Sequence, residues 1–220
     1  MFNYGNIQLK VCGITDIRSL EIIQRYSVSR VGFVSDSLYG PNTLSVDEII
    51  KLKNKSYELK LNPILLIGNL EITEIIKVIN KIGIKEVCLA NQYTYEEIQQ
   101  LINSTDIKMS ISVSYNNHDC DFFQKIKNMI SSFYYDLNIY HEDKIEKKEL
   151  SECITQINEL RQFSKPLYLG GGINIENIKE AVRTLSPFGI DISSGLKKSN
   201  TLDEEKLKKI LDSLGFDEIV

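Results

Sequence analysis

The chain has 220 residues, of which 42% are hydrophobic and 25% charged, with a formal net charge of −4. This is the composition of a globular protein with a full core. The acidic balance argues against a nucleic-acid or anionic-membrane partner, either of which calls for a basic face. No apolar run approaches the roughly 20 residues of a membrane span, and the first six residues lack the basic start and apolar stretch of an export signal. Cys12, Cys88, Cys120 and Cys153 fall in no paired spacing, so free thiols in a reducing cytoplasm are expected rather than disulfides. The two histidines, His118 and His141, stand in no metal-ligand spacing, and neither a metal nor a cofactor is expected.

Short apolar runs alternate with helical periodicity along the whole chain. Residues 7–12 predict a first strand. The turn Gly13-Ile14-Thr15-Asp16 follows, where Thr15 or Asp16 can cap a helix whose apolar face is Ile17, Leu20 and Ile23. Residues 30–34 predict a second strand, then a loop over 35–43 and a helix opened by Ser45, with Ile49, Ile50 and Leu52 inward. Residues 62–67, rich in Ile and Leu, predict a strand buried on both faces. A helix over 71–81 carries Ile72, Ile75, Ile76 and Ile79 on one side. Strand and helix pairs follow at 86–90 and 94–102, at 108–113 and 122–130, and at 132–137 and 150–161. A seventh strand runs into Gly170-Gly171-Gly172 and, one helix later, an eighth runs into Ser193-Ser194-Gly195. Residues 203–214 close the chain as an amphipathic helix with Leu207, Ile210, Leu211 and Leu214.

Eight strand–helix units in strict alternation imply parallel strands covered by helices. An open dinucleotide-binding sheet needs a glycine-rich fingerprint after its first strand, and only Gly13 stands there. The chain is therefore expected to form a closed (β/α)8 barrel, one domain over residues 1–220. In that architecture the chemistry sits at the C-terminal ends of the strands. Three reactive side chains stand there. Cys12 reads either as a small buried residue or as a thiol whose ionised form is favoured by the helix start behind it. Asp136 interrupts an aromatic strand, so it is either a carboxylate capping its loop or a functional acid. Asp191 is either bonded to loop amides or in contact with a ligand. The two glycine- and serine-rich turns, with Gly171, Gly172, Ser193, Ser194 and Gly195, offer close backbone approach, N–H groups and hydroxyls to an anion. A thiol and a carboxyl across a phosphate site suit general base and general acid work on a phosphorylated sugar.

These residues carry a resemblance. The segment Lys10 to Thr15, the run Val31-Gly32-Phe33-Val34, the pair Tyr135-Asp136, the turn from Leu169 to Ile178 and the segment Asp191 to Gly195 together resemble phosphoribosylanthranilate isomerases, cytoplasmic β/α-barrel enzymes of tryptophan biosynthesis. The resemblance implies an Amadori rearrangement of N-(5-phosphoribosyl)anthranilate to the carboxyphenylamino-deoxyribulose phosphate, with a small phosphorylated sugar as the sole ligand and no cofactor. It also implies Asp136 as the acid on the ring oxygen and Cys12 as the base at C2′. Gly172, Ser193, Ser194 and Gly195 would hold the phosphate, and Asp191 would lie near the substrate amine. Some features depart from the family. Its second loop carries an arginine for the anthranilate carboxylate, whereas residues 38–43 here hold no base. The segment after the fourth strand reads Cys88-Leu89-Ala90-Asn91, a charged run fills 141–148, and Ser199-Asn200-Thr201-Leu202-Asp203 replaces the family's last turn. Whether Lys197 or Lys198 supplies the missing charge is left open by the sequence. So are a barrel acting on, or only binding, another phosphorylated sugar and the choice between monomer and homodimer.

Overall fold

The computed structural model describes residues 7–40, 42–140 and 145–215. Eight parallel strands close into the expected barrel: β1 (Gln8–Val11), β2 (Arg30–Ser35), β3 (Asn62–Ile67), β4 (Glu86–Leu89), β5 (Lys108–Ser114), β6 (Ser132–Asp136), β7 (Leu167–Gly170) and β8 (Gly189–Ile192). Each strand pairs with the next in sequence, and β8 closes on β1 with Lys10 opposite Asp191 and Val11 opposite Ile192. The helices between and after them are α1 (Ile17–Arg25), α2 (Val46–Glu58), α3 (Ile72–Ile82), α4 (Tyr95–Ser104), α5 (Cys120–Ile126), α6 (Leu150–Arg161), α7 (Ile178–Leu185) and α8 (Glu204–Leu214).

Local chemistry sets the helix ends. Ser45 and Glu48, and again Thr94 and Glu97, form reciprocal capping boxes at α2 and α4, each cap worth about 1 kcal/mol. Asp16, rather than Thr15, caps α1 through the Ser19 N–H at 2.8 Å. Gly83 ends α3 in the left-handed conformation, which costs glycine no Cβ clash. The fifth helix differs from expectation. It spans Cys120–Ile126 instead of 122–130, because Asp119 caps it early and a turn bond from Met129 N–H to Ile126 O ends it. Ile130 is buried as the lead-in to β6, so its spacing from Ile126 imitates another helical turn.

Strand alternation divides the apolar residues into two cores. Val11, Phe33, Leu65, Val87, Phe133 and Leu169 face outward under the helices. Inside the barrel sit Ile64, Cys88, Tyr134 and Tyr168, the two tyrosine rings stacked at 4.7 Å. Three short pairings lie beyond the eight units read from the sequence. Thr43–Leu44 extends the sheet beside β2, and Asn138–Tyr140 pairs with Ile145–Lys147. The third is a hairpin of Lys197–Lys198 with Thr201–Leu202. It turns on Ser199 and Asn200, both at positive φ, as a two-residue type I′ turn requires. The rest of the charged run, residues 141–144 and so His141, lies outside the described residues.

Candidate active site

Inward-facing positions at the C-terminal ends of β1, β6, β7 and β8 bring most of the predicted residues to one mouth. Cys12 follows β1 directly and is held there by its N–H to Ile192 O at 2.8 Å. Two residues earlier, Lys10 points into the barrel. It is 1% exposed, its Nζ is 2.7 Å from Asp191 Oδ2 and 3.4 Å from Cys12 Sγ, and it stands 4.5 Å over the Tyr134 ring. Burial pulls the Lys10 ammonium down, but Asp191 and then Cys12 outweigh it and hold the group protonated well above the ordinary lysine value. Gly32 on β2 makes room for this group: a Cβ there would stand 2.6 Å from Cys12 Sγ and 3.0 Å from Lys10 Cε.

The Cys12 environment differs from the one the sequence suggests. The N-terminus of α1 is already occupied by its Asp16 cap, so it does not serve the thiol. Burial pushes the Cys12 thiol up, Asp191 adds to that, and Lys10 works against both. The unliganded site therefore holds a protonated thiol beside the ammonium that can favour its ionisation. Asp191 bonds Lys10, and no loop amide, through Oδ2, while its buried Oδ1 has no hydrogen-bond partner among the described residues. That is an acceptor left for something else.

Asp136 ends β6 on the same face as Tyr134, opposite Gly170 of β7. Its Oδ1 accepts the Asn138 N–H at 2.8 Å, so the loop-capping alternative is realised on that oxygen. Gly171, at φ +81°, lies flush against it. A Cβ there would strike Asp136 Oδ1 and stand 2.5 Å from Leu137 N, which places Gly171 beside the acid. Gly172 is also at positive φ, and its carbonyl accepts from Asn177 Nδ2 at 3.0 Å. Gly195, in the short 3-10 turn Ser194–Leu196, packs on Ile173 O and Asn174, so the turns after β7 and β8 form one continuous surface. Among the described residues neither Ser193 nor Ser194 uses its hydroxyl on a protein partner.

One residue at the mouth was not named as a site residue from the sequence. Lys10 could have been: a lysine at an inward position of an apolar strand carries the same signal that singled out Asp136. Lys197, which the sequence left open together with Lys198 as the source of the missing charge, is half-buried, with its Nζ donating to Gly13 O. Between the loop after β5 and α6 the fold gathers His118, Cys120 and Glu159, whose donor atoms lie 3.5–3.8 Å apart. This set could hold a metal ion, and sequence spacing did not disclose it because Glu159 arrives from α6. The three groups satisfy one another, and Glu159 is 42% exposed. All four cysteines are free.

The family model described as N-(5'phosphoribosyl)anthranilate (PRA) isomerase matches residues 149–213. An N-(5'-phosphoribosyl)anthranilate isomerase from Bacillus cereus is 30% identical over 213 residues, covering 92% of this chain and 96% of that protein. The chain belongs to the N-(5'-phosphoribosyl)anthranilate isomerase family. Solved isomerases of this family share its fold. One described as monomers of a dimeric enzyme from Thermotoga maritima superposes with a TM-score of 0.71 at 19% identity, covering 95% of this chain and 98% of that one. Another phosphoribosylanthranilate isomerase, in complex with reduced 1-(o-carboxyphenylamino)-1-deoxyribulose 5-phosphate, gives 0.70 at 18% identity with the same coverage.

Proposed function

We propose that this protein isomerises N-(5'-phosphoribosyl)anthranilate to 1-(2-carboxyphenylamino)-1-deoxyribulose 5-phosphate, the Amadori step of tryptophan biosynthesis. The observation that carries the reading is the inward cluster of Cys12, Lys10 and Asp191 beside the continuous glycine and serine turns. In a family member, that cluster supplies a proton acceptor, a fixed cation and an unpaired carboxylate oxygen at one mouth.

The chemistry divides between the two sides of that mouth. Asp136, at the end of β6, donates its proton to the ribose ring oxygen, the C1′–O bond breaks, and the nitrogen lone pair completes a protonated Schiff base. Asp191 Oδ1 faces the resulting N–H. The new positive charge offsets the Asp191 field that raises the Cys12 thiol and adds to the effect of Lys10. Cys12 is thereby made more acidic as the step that needs a base approaches. The Cys12 thiol releases its proton to water at the open mouth, the resulting thiolate removes the C2′ proton, the electron pair neutralises the iminium, and the enolamine tautomerises to the aminoketose. Gly172, Ser193, Ser194 and Gly195 hold the phosphate through N–H groups and hydroxyls, and positioning by that remote group serves the chemistry at C2′.

The test is conversion of the substrate by purified protein with nothing added. Turnover supports the reading. Binding of ribulose 5-phosphate, without turnover and without affinity for the carboxyphenylamino product, would select a barrel for another phosphorylated sugar. We further propose a cytoplasmic location, which suits four free thiols, and a monomer or homodimer, to be separated by sedimentation.

A further inference from the structure

The substrate carries two anionic ends, a phosphate on the sugar and a carboxylate on the aromatic ring. The turns after β7 and β8 account for the first. Residues 38–43, on the loop after β2, contain no basic side chain for the second. Lys10 is fully buried and already paired with Asp191, so it is not available to it either.

We propose that Lys197 binds the aromatic carboxylate of the substrate, an assignment that rests on the isomerase reading. Its Nζ donates to the Gly13 carbonyl, and a Cβ on Gly13 would stand 3.0 Å from Lys197 Nζ, 2.9 Å from Ser193 Oγ and 3.4 Å from Asn42 Cβ. The ammonium thus sits where the loops after β8, β1 and β2 meet. Asn42 belongs to the loop after β2 that lacks a base, so the ammonium stands where that loop meets the turn after β8.

Three features fit the amine for an anion. Among the described residues no carboxylate lies within ion-pair distance of it, although it is half-buried. Only one of its three hydrogens is engaged by Gly13, so two remain to donate. Its backbone is pinned by the hairpin with Thr201–Leu202 and by Lys206 Nζ donating to Lys197 O at 2.7 Å, which lowers the ordering cost of binding. Burial pulls this lysine below its ordinary range against the opposing fields of Cys12 and Asp16. An arriving carboxylate would raise it again. Lys198 is exposed on the outer side of the same hairpin.

The decisive measurement compares two ligands across three proteins. The ligands are reduced 1-(o-carboxyphenylamino)-1-deoxyribulose 5-phosphate and its phenylamino counterpart lacking the carboxylate, with inorganic phosphate as a third probe. Lys197→Met is expected to weaken the carboxylated ligand about 10- to 100-fold, as loss of a charged hydrogen bond does. The other two probes should be unaffected. KM should rise with kcat nearly held, and Lys197→Arg should restore most of the affinity. Equal weakening of both organic ligands, or of phosphate, would assign Lys197 to the phosphate and overturn the proposal. Unchanged affinity in Lys197→Met would overturn it while leaving the isomerase reading intact. A wild-type protein that binds neither organic ligand would instead remove the isomerase reading itself.

Discussion

Lys10 and Asp191 stand opposite each other on β1 and β8, the two strands that close the barrel, with Nζ and Oδ2 2.7 Å apart. The pair is at once a seam of the fold and the floor of the mouth. Its members are 1% and 18% exposed, so removing one leaves the other charged in a poorly solvated place.

Lys10→Met should therefore destabilise the protein by about 3 kcal/mol, as breaking a buried ion pair from one side does. The double replacement Lys10→Met with Asp191→Asn should be less destabilised than the sum of the single changes, because neither charge is stranded. Urea unfolding of the four proteins measures the coupling. Strict additivity would mean that the pair does not act as a unit.

Cys12→Ser and Asp136→Asn should each lower kcat about 10²–10⁴-fold, the range for a missing acid or base, with KM changed little. Steady-state turnover of the phosphoribosylanthranilate substrate decides it. Full activity in either protein would remove that residue from the mechanism.

The pH behaviour has a definite sign. Burial and then Asp191 raise the Cys12 thiol, so its alkylation by iodoacetamide should titrate above the value of about 8.5 for a free cysteine. Cys88, Tyr134 and Lys10 are also held protonated beyond their ordinary ranges. The folded state then binds more protons than the unfolded chain at alkaline pH, and the stability these groups contribute is complete below about pH 8.5 and lost as pH rises through their folded values. Lys197, whose proton is held less tightly, works in the opposite direction by itself. Denaturation free energies from pH 7 to 11 should fall, and a rise across that range would contradict the assignment.

Gly171→Ala tests the support of Asp136. At φ +81°, an L-residue costs about 1 kcal/mol in strain, and the new Cβ would collide with Asp136 Oδ1 and crowd Leu137 N. The variant should lose kcat while still binding inorganic phosphate, since Gly172 and the serine turn are untouched. Loss of phosphate affinity with kcat unchanged would place Gly171 in the anion turn instead.

The barrel was legible in the sequence because each of its strands is a short apolar run closed by a turn, and eight alternations leave few architectures. Cys12, Asp136 and Asp191 could be picked out because a polar side chain at a strand's end in this fold faces the mouth. The pairing of 138–140 with 145–147 and the hairpin at 197–202 were not legible, since two- and three-residue strands carry no periodicity. The length of α5 was misread because Ile130 is buried for β6 at a helical spacing. Whether Cys12 ionises readily could not be read either. It depends on the distance to Lys10, on Asp191 arriving from 181 residues away, and on how deeply all three are buried. Patterns of polarity along the chain fix which elements form and which side faces inward. Charges brought together across the closing seam fix proton affinities and free valences, and those follow from distances that only the closed barrel sets.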